Sequence, residues 1–198
     1  MGVGSSSSDE PEPSRLAAFT TLYAQGNRVE LAATRLGPNL AGMQAYHTSV
    51  VVEDVEYSFS MEGVNCCQDL QSHRHLPNKP TDVIYMGLTE FTGQAMADFL
   101  RDTFKRGTYD LLRKNCNSFS DSALYFLLGT RLDPKYKDLE RLGHAADQKM
   151  GLVQSLTQGD YLPNRAADDF KVEDVVRRIN GFKRKHFAIS SEPSASAA

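Results

Sequence analysis

The chain has 198 residues, 40% of them apolar, and a formal net charge of −3. That suits one domain with extensions and excludes a strongly basic nucleic-acid binder. No apolar run approaches the ~20 residues of a membrane-spanning helix, and three cysteines, two of them adjacent, do not suit a disulfide framework.

Residues from Met1 to about Pro13 are rich in Ser, Glu and Pro and read as disordered. Met1-Gly2 followed by Ser6 fits the pattern Met-Gly-x-x-x-Ser/Thr, which makes Gly2 a candidate lipidation (myristoylation) site. Leu16, Phe19, Leu22 and Tyr23 give a weak apolar face suited to a short helix or docking arm. Arg28 to Thr34 is expected to form a strand, with a turn at Gly37-Pro38. The Val50-Val51-Val52 run predicts a strand from Thr48, and Glu56 to Ser60 alternates with period two as a second one, joined to it as a hairpin. His47 would then stand at the outer end of the first strand.

Residues Gly63 to Pro80 read as a long irregular loop, followed by a strand from Asp82 to Gly87. Thr92 is a suitable N-cap for a helix carrying Met96, Phe99, Leu100, Thr103 and Phe104, with Gly107 closing it. A second helix follows Asn117, with Phe119, Ala123, Phe126 and Leu127 at helical spacing. Ser118 and Asp121 resemble its capping box, and Gly129 is its stop. Pro134 starts a short turn. A last helix is expected over Val172 to Ile179, ending in the basic cluster Lys183 to His186. The tail from Ser190 is low-complexity.

Cys116 therefore sits just before a helix, where the positive end of the dipole and the free N–H groups favour a thiolate. The same N–H groups point where an oxyanion forms on an attacked carbonyl. A buried structural cysteine is an equal reading of this local pattern. His47 alone is an ordinary strand histidine, and it gains meaning only as a base for a cysteine elsewhere in the fold. Cys66, Cys67, His73 and His75 invite a metal, but adjacent cysteines and the Cys-Cys-x5-His-x-His spacing lack the two-plus-two pattern of zinc sites, so no metal and no cofactor is expected.

Four segments together resemble the PPPDE superfamily, the DeSI-type (desumoylating isopeptidase) cysteine proteases. They are Tyr46-His47-Thr48-Ser49-Val50-Val51-Val52, Glu56-Tyr57-Ser58-Phe59 with Gly63-Val64, Met86-Gly87-Leu88-Thr89-Glu90, and Asn115-Cys116-Asn117-Ser118-Phe119-Ser120 with Phe126 to Gly129. The resemblance covers about Asn27 to Leu142. It implies an α+β, permuted papain-like fold with a small, mainly antiparallel sheet, and a dyad of His47 as base and Cys116 as nucleophile. It further implies cleavage of a ubiquitin-like modifier, SUMO or ubiquitin, from lysine conjugates, and in some members removal of S-acyl groups or homodimer formation. Tyr46, Asn115 and Asn117, beside the pair, are the candidate substrate-binding residues. Tyr46 stands where relatives often carry Trp.

The domain plan expected is a flexible extension over 1–26, a catalytic domain over 27–145, and a C-terminal extension over 146–198 with one helix. Two other functions stand beside isopeptide cleavage: S-acyl thioester hydrolysis by the same dyad, and a non-catalytic modifier-binding module. The start lacks a secretory signal, so the expected location is the cytoplasm, with access to the nucleus by size alone. One acyl chain on Gly2 would give only weak, reversible membrane contact, to which Lys183, Arg184 and Lys185 add about 1 kcal/mol each near an anionic leaflet.

Overall fold

Alternating apolar residues and runs of valine build an antiparallel sheet in the first half of the chain, and 3.6-residue periodicity builds helices in the second. The computed structural model describes residues 26–40, 43–76, 78–138 and 161–190. The Gly2 motif, the Leu16–Tyr23 face and the tail beyond Ser190 lie outside them. Among the described residues there are five strands: β1 (Asn27–Leu40), β2 (Met43–Val52), β3 (Val55–Ser60), β4 (Gly63–Cys67) and β5 (Asn78–Thr89). They lie in the order β4-β3-β2-β1-β5, every neighbouring pair antiparallel. With helices α1 (Gly93–Arg101), α2 (Cys116–Leu128) and α3 (Val172–Ser190), this is the expected α+β class.

Several elements run further than their local patterns predict. The Gly37-Pro38 turn is instead an irregularity inside β1, which Gly37 makes at φ 65°. His47 is not at a strand end: β2 begins at Met43 because its whole length pairs with β1, His47 opposite Thr34. Gly63 to Pro80 is not one irregular loop, since Gly63–Cys67 pairs with β3, Gln71–His73 is a 3-10 turn, and β5 already begins at Asn78. Helix α1 has the expected Thr92 cap but ends at Arg101, where Thr103 N bonds Leu100 O in the tighter 3-10 pattern. α3 continues past Ile179 through the basic cluster, which is thus inside the helix.

Helix α2 is the central pillar. Its cap is three residues earlier than expected: Asn115 Oδ1 accepts from the Asn117 and Ser118 N–H groups, and Ser118 Oγ accepts from Asn115 N. Gly129 ends the helix at φ 71°, a conformation that costs little without a Cβ. Phe119, Ala123, Leu124 and Phe126 are fully buried, and Phe59, Phe104 and Phe119 meet edge-on or tilted with ring centres 5.0–6.4 Å apart. Each such Phe contributes about 1.5–3 kcal/mol by leaving water. α3 packs on α2 from outside, burying Val175 and Ile179 and stacking Phe182 on Phe126.

A buried carboxylate ties this pillar to the chain that follows. Asp121 Oδ1 accepts from Leu132 N at 2.7 Å, and Oδ2 accepts from Arg131 Nη2 at 2.7 Å and Lys137 Nζ at 2.5 Å. Arg131 also reaches Glu173 of α3. Burial alone would raise the Asp121 carboxyl, but Arg131, Lys137 and the Leu132 N–H hold it below its ordinary value. Its stabilising effect is therefore complete above the ordinary carboxylate range and is lost as pH falls through the lowered value. Asp121→Ala is expected to destabilise the fold by about 3 kcal/mol near neutral pH. The penalty should shrink in acid, as denaturant unfolding at several pH values will show.

Candidate active site

β2 pairs with β3 at Val50, Val51 and Val52, so its first half, carrying His47, lies beyond that ladder. Alternation along β2 sends Thr48 and Val50 toward α2, while Ser49 and Val51 turn to the opposite face. The start of α2 meets the strand at this open stretch. Thr48 Oγ1 donates to Asn117 Oδ1 at 2.9 Å and lies 2.9 Å from Ser120 Oγ. A backbone hydrogen bond from Thr48 reaches Cys116 Sγ, as does one from the His47 ring.

Cys116 is 3% exposed. Burial by itself pushes its thiol up, yet the charge and hydrogen bond of His47, the Thr48 backbone and the Tyr109 hydroxyl bring it below its ordinary value. His47 shows the mirror image. Burial depresses the imidazole, but the charge and hydrogen bond of Cys116 and the charge of Glu56 more than offset this, and it is raised. Opposite shifts in one hydrogen-bonded pair favour thiolate and imidazolium together. The Cys116 sulfur lies at the start of α2, where the helix dipole favours negative charge.

The sequence reading missed Tyr109. Its hydroxyl hydrogen-bonds Cys116 Sγ and also faces the Cys116 N–H, and burial followed by the Cys116 charge pushes the phenol well above its ordinary value. It therefore stays neutral and acts as a donor. Only its place seven residues before Cys116 could have flagged it. The outer side of Tyr109 lines a surface depression with Met61, Leu111, Tyr161 and Leu162.

The other candidates fall into two groups. Asn115 is 1% exposed and Asn117 is fully buried, and their side chains are engaged by protein partners. Asn115 caps α2 and donates to Leu111 O; Asn117 Nδ2 donates to Tyr136 O at 2.7 Å. Tyr46 is half-buried, edge-on to Tyr136 with ring centres 5.0 Å apart. The Cys/His loop does not gather. Cys66 and His75 are exposed, His73 is buried between Thr34 Oγ1 (2.8 Å) and Ser49 Oγ (2.9 Å), and Cys67 Sγ donates to Glu56. Among the described residues no group of three or more His, Cys, Asp or Glu side chains is placed to hold a metal ion.

Residues 19–155 match the PPPDE peptidase domain. The chain is 30% identical over 146 residues to desumoylating isopeptidase 1 of Xenopus laevis, covering 67% of this chain and 85% of that protein. It is 32% identical over 114 residues to desumoylating isopeptidase 1 of Homo sapiens, covering 54% of this chain and 66% of that one. The chain belongs to the PPPDE peptidase family. It is a cysteine-type peptidase of the hydrolase class.

The paired shifts set a pH dependence. Thiolate forms at Cys116 below the ordinary thiol range, and imidazolium persists at His47 above the ordinary imidazole range, so the two shifts bring the ranges of the charged forms toward each other. Alkylation of Cys116 by iodoacetamide, followed by peptide mass spectrometry, should be fast through neutral pH. In His47→Ala it should become fast only at more alkaline pH.

Proposed function

We propose that this protein hydrolyses the isopeptide bond between the C-terminal glycine of a ubiquitin-like modifier and a lysine amine, with SUMO conjugates as the first substrate class to test. The observation that carries this reading is the hydrogen-bonded Cys116–His47 pair with its thiol lowered and its imidazole raised. The names of the related proteins support the choice of SUMO.

In this mechanism His47 takes the Cys116 proton and the thiolate sulfur bonds to the glycine carbonyl carbon. The carbonyl electrons move onto oxygen, where the Cys116 N–H and the neutral Tyr109 hydroxyl beside it would stabilise the charge. As the oxyanion collapses, the carbon–nitrogen bond breaks and His47 gives its proton to the departing lysine amine. Water, deprotonated by His47, then attacks the thioester; the carbon–sulfur bond breaks and Cys116 recovers a proton.

SUMO and ubiquitin bearing C-terminal electrophiles should separate the modifiers. At least one should label the wild type covalently, and neither should label Cys116→Ala. His47→Ala should lower cleavage of the matching fluorogenic conjugate by about 10²- to 10⁴-fold, the usual range for a lost general base. Labelling that persists in Cys116→Ala removes Cys116 from the role, and turnover of a lipid thioester with no turnover of either modifier would transfer the dyad to S-acyl chemistry.

A further inference from the structure

We infer that Ser72 and Glu56 form a relay that orients the His47 ring, with Glu56 as a buried carboxylate and Ser72 as the hydroxyl that couples it to Nε2. This rests on the reading of His47 and Cys116 as base and nucleophile. Three distances carry it. His47 Nε2 lies 2.7 Å from Ser72 Oγ, Ser72 Oγ donates to Glu56 Oε1 at 2.5 Å, and Ser72 N donates to Glu56 Oε2 at 3.2 Å.

The proton placement follows from valence. An ionised carboxylate has no hydrogen to give, so the single hydroxyl proton of Ser72 goes to Glu56. The Ser72 oxygen can then only accept, and the hydrogen between it and His47 must belong to Nε2. Nδ1 is left bare for the Cys116 thiol. When His47 becomes imidazolium, Nε2–H keeps the same acceptor and the Glu56 charge lies on the far side of one hydroxyl, which favours the cation. The arrangement performs the task of the third group in catalytic triads, with a serine interposed between ring and carboxylate.

Glu56 is built for this part. It is 1% exposed and on β3 opposite Val51, so it shares the face of β2 that carries Ser49 and Val51. Burial raises its carboxyl, but hydrogen bonds from Ser72, Cys67 and Ser49 and from the Ser72 backbone bring it below its ordinary value. The other titratable groups around it leave it ionised. Cys67 donates to Oε2 at 3.1 Å, and burial, with the hydrogen bond and charge of Glu56, pushes its thiol up to about 11. His73, 3.6 Å from Oε1, is pulled down to about 4 by burial and by the charge of His47, so it is neutral at physiological pH. Its ring lies against that of His47 at 4.6 Å, which limits rotation of the base. Ser72 and Glu56 are thus positioning residues for a base that touches the nucleophile.

A carboxylate that merely anchored the 3-10 turn would act through Ser72 N, which Ser72→Ala retains. The test therefore uses that variant with Ser72→Thr as the rescue. In a Cys116→Ala background, the His47 ring protons are titrated by NMR, a measurement independent of any substrate. Adding Ser72→Ala should lower the His47 titration, Ser72→Thr should restore it, and Glu56→Gln should lower it as well. With Cys116 intact, Ser72→Ala should slow alkylation at neutral pH by about tenfold or more and lower kcat with little change in KM, again rescued by threonine. A His47 titration that Ser72→Ala leaves unchanged overturns the relay. Wild-type Cys116 that alkylates as an ordinary thiol while Ser72→Ala still shifts His47 would instead sink the dyad and leave the relay standing.

Discussion

The attachment of one strand residue to one helix terminus governs this site. Thr48 uses its hydroxyl on Asn117 and Ser120 and its backbone on Cys116, so strand β2 and helix α2 are pinned at the height where chemistry would occur. These groups are buried, and each unpaired polar atom left there would cost about 1–3 kcal/mol. Sliding of the helix along the strand would strand several of them at once. The placement of the Cys116 thiol beside the His47 imidazole is thereby set by the scaffold.

Everything else around α2 serves to keep that register. Asn115 closes the helix start, Asn117 reaches across to Tyr136 O, and Asp121 gathers Arg131, Leu132 and Lys137 against the middle of the helix. The aromatic cluster of Phe59, Phe104 and Phe119 fills the opposite side. α3 adds Val175, Ile179 and Phe182 to the same core, so the residues after 160 support the pillar from behind. A helix surrounded in this way has little freedom to tilt, which keeps Cys116 beside His47.

The two residues singled out from the sequence, His47 and Cys116, lie together, and the valine run and helical spacings place their elements well. The boundaries were less legible because pairing is a property of two strands. Met43 to Thr48 has no strong strand pattern of its own and is extended because β1 lies beside it. Glu56 was hidden for a related reason. In Glu56-Tyr57-Ser58-Phe59-Ser60 the alternation assigns it to a solvent face, and only the fold-back of Gln71–His73 over that face buries it. The asparagines beside Cys116 were candidate substrate-binding residues because they flank it. Their polar groups are used inside the protein, to cap the helix and brace the following turn.

One carboxylate bears on two sulfurs in opposite directions. Glu56 accepts a hydrogen bond directly from Cys67 and keeps that sulfur protonated, whereas through the His47 cation it favours charge on Cys116. Peroxide and soft electrophiles consume thiolates far faster than thiols. Oxidative damage and covalent inhibitors that reach this pocket would thus be channelled to the sulfur on the helix, while the strand sulfur beside the same acid stays chemically silent. A single buried charge thereby pushes the Cys67 and Cys116 sulfurs in opposite directions.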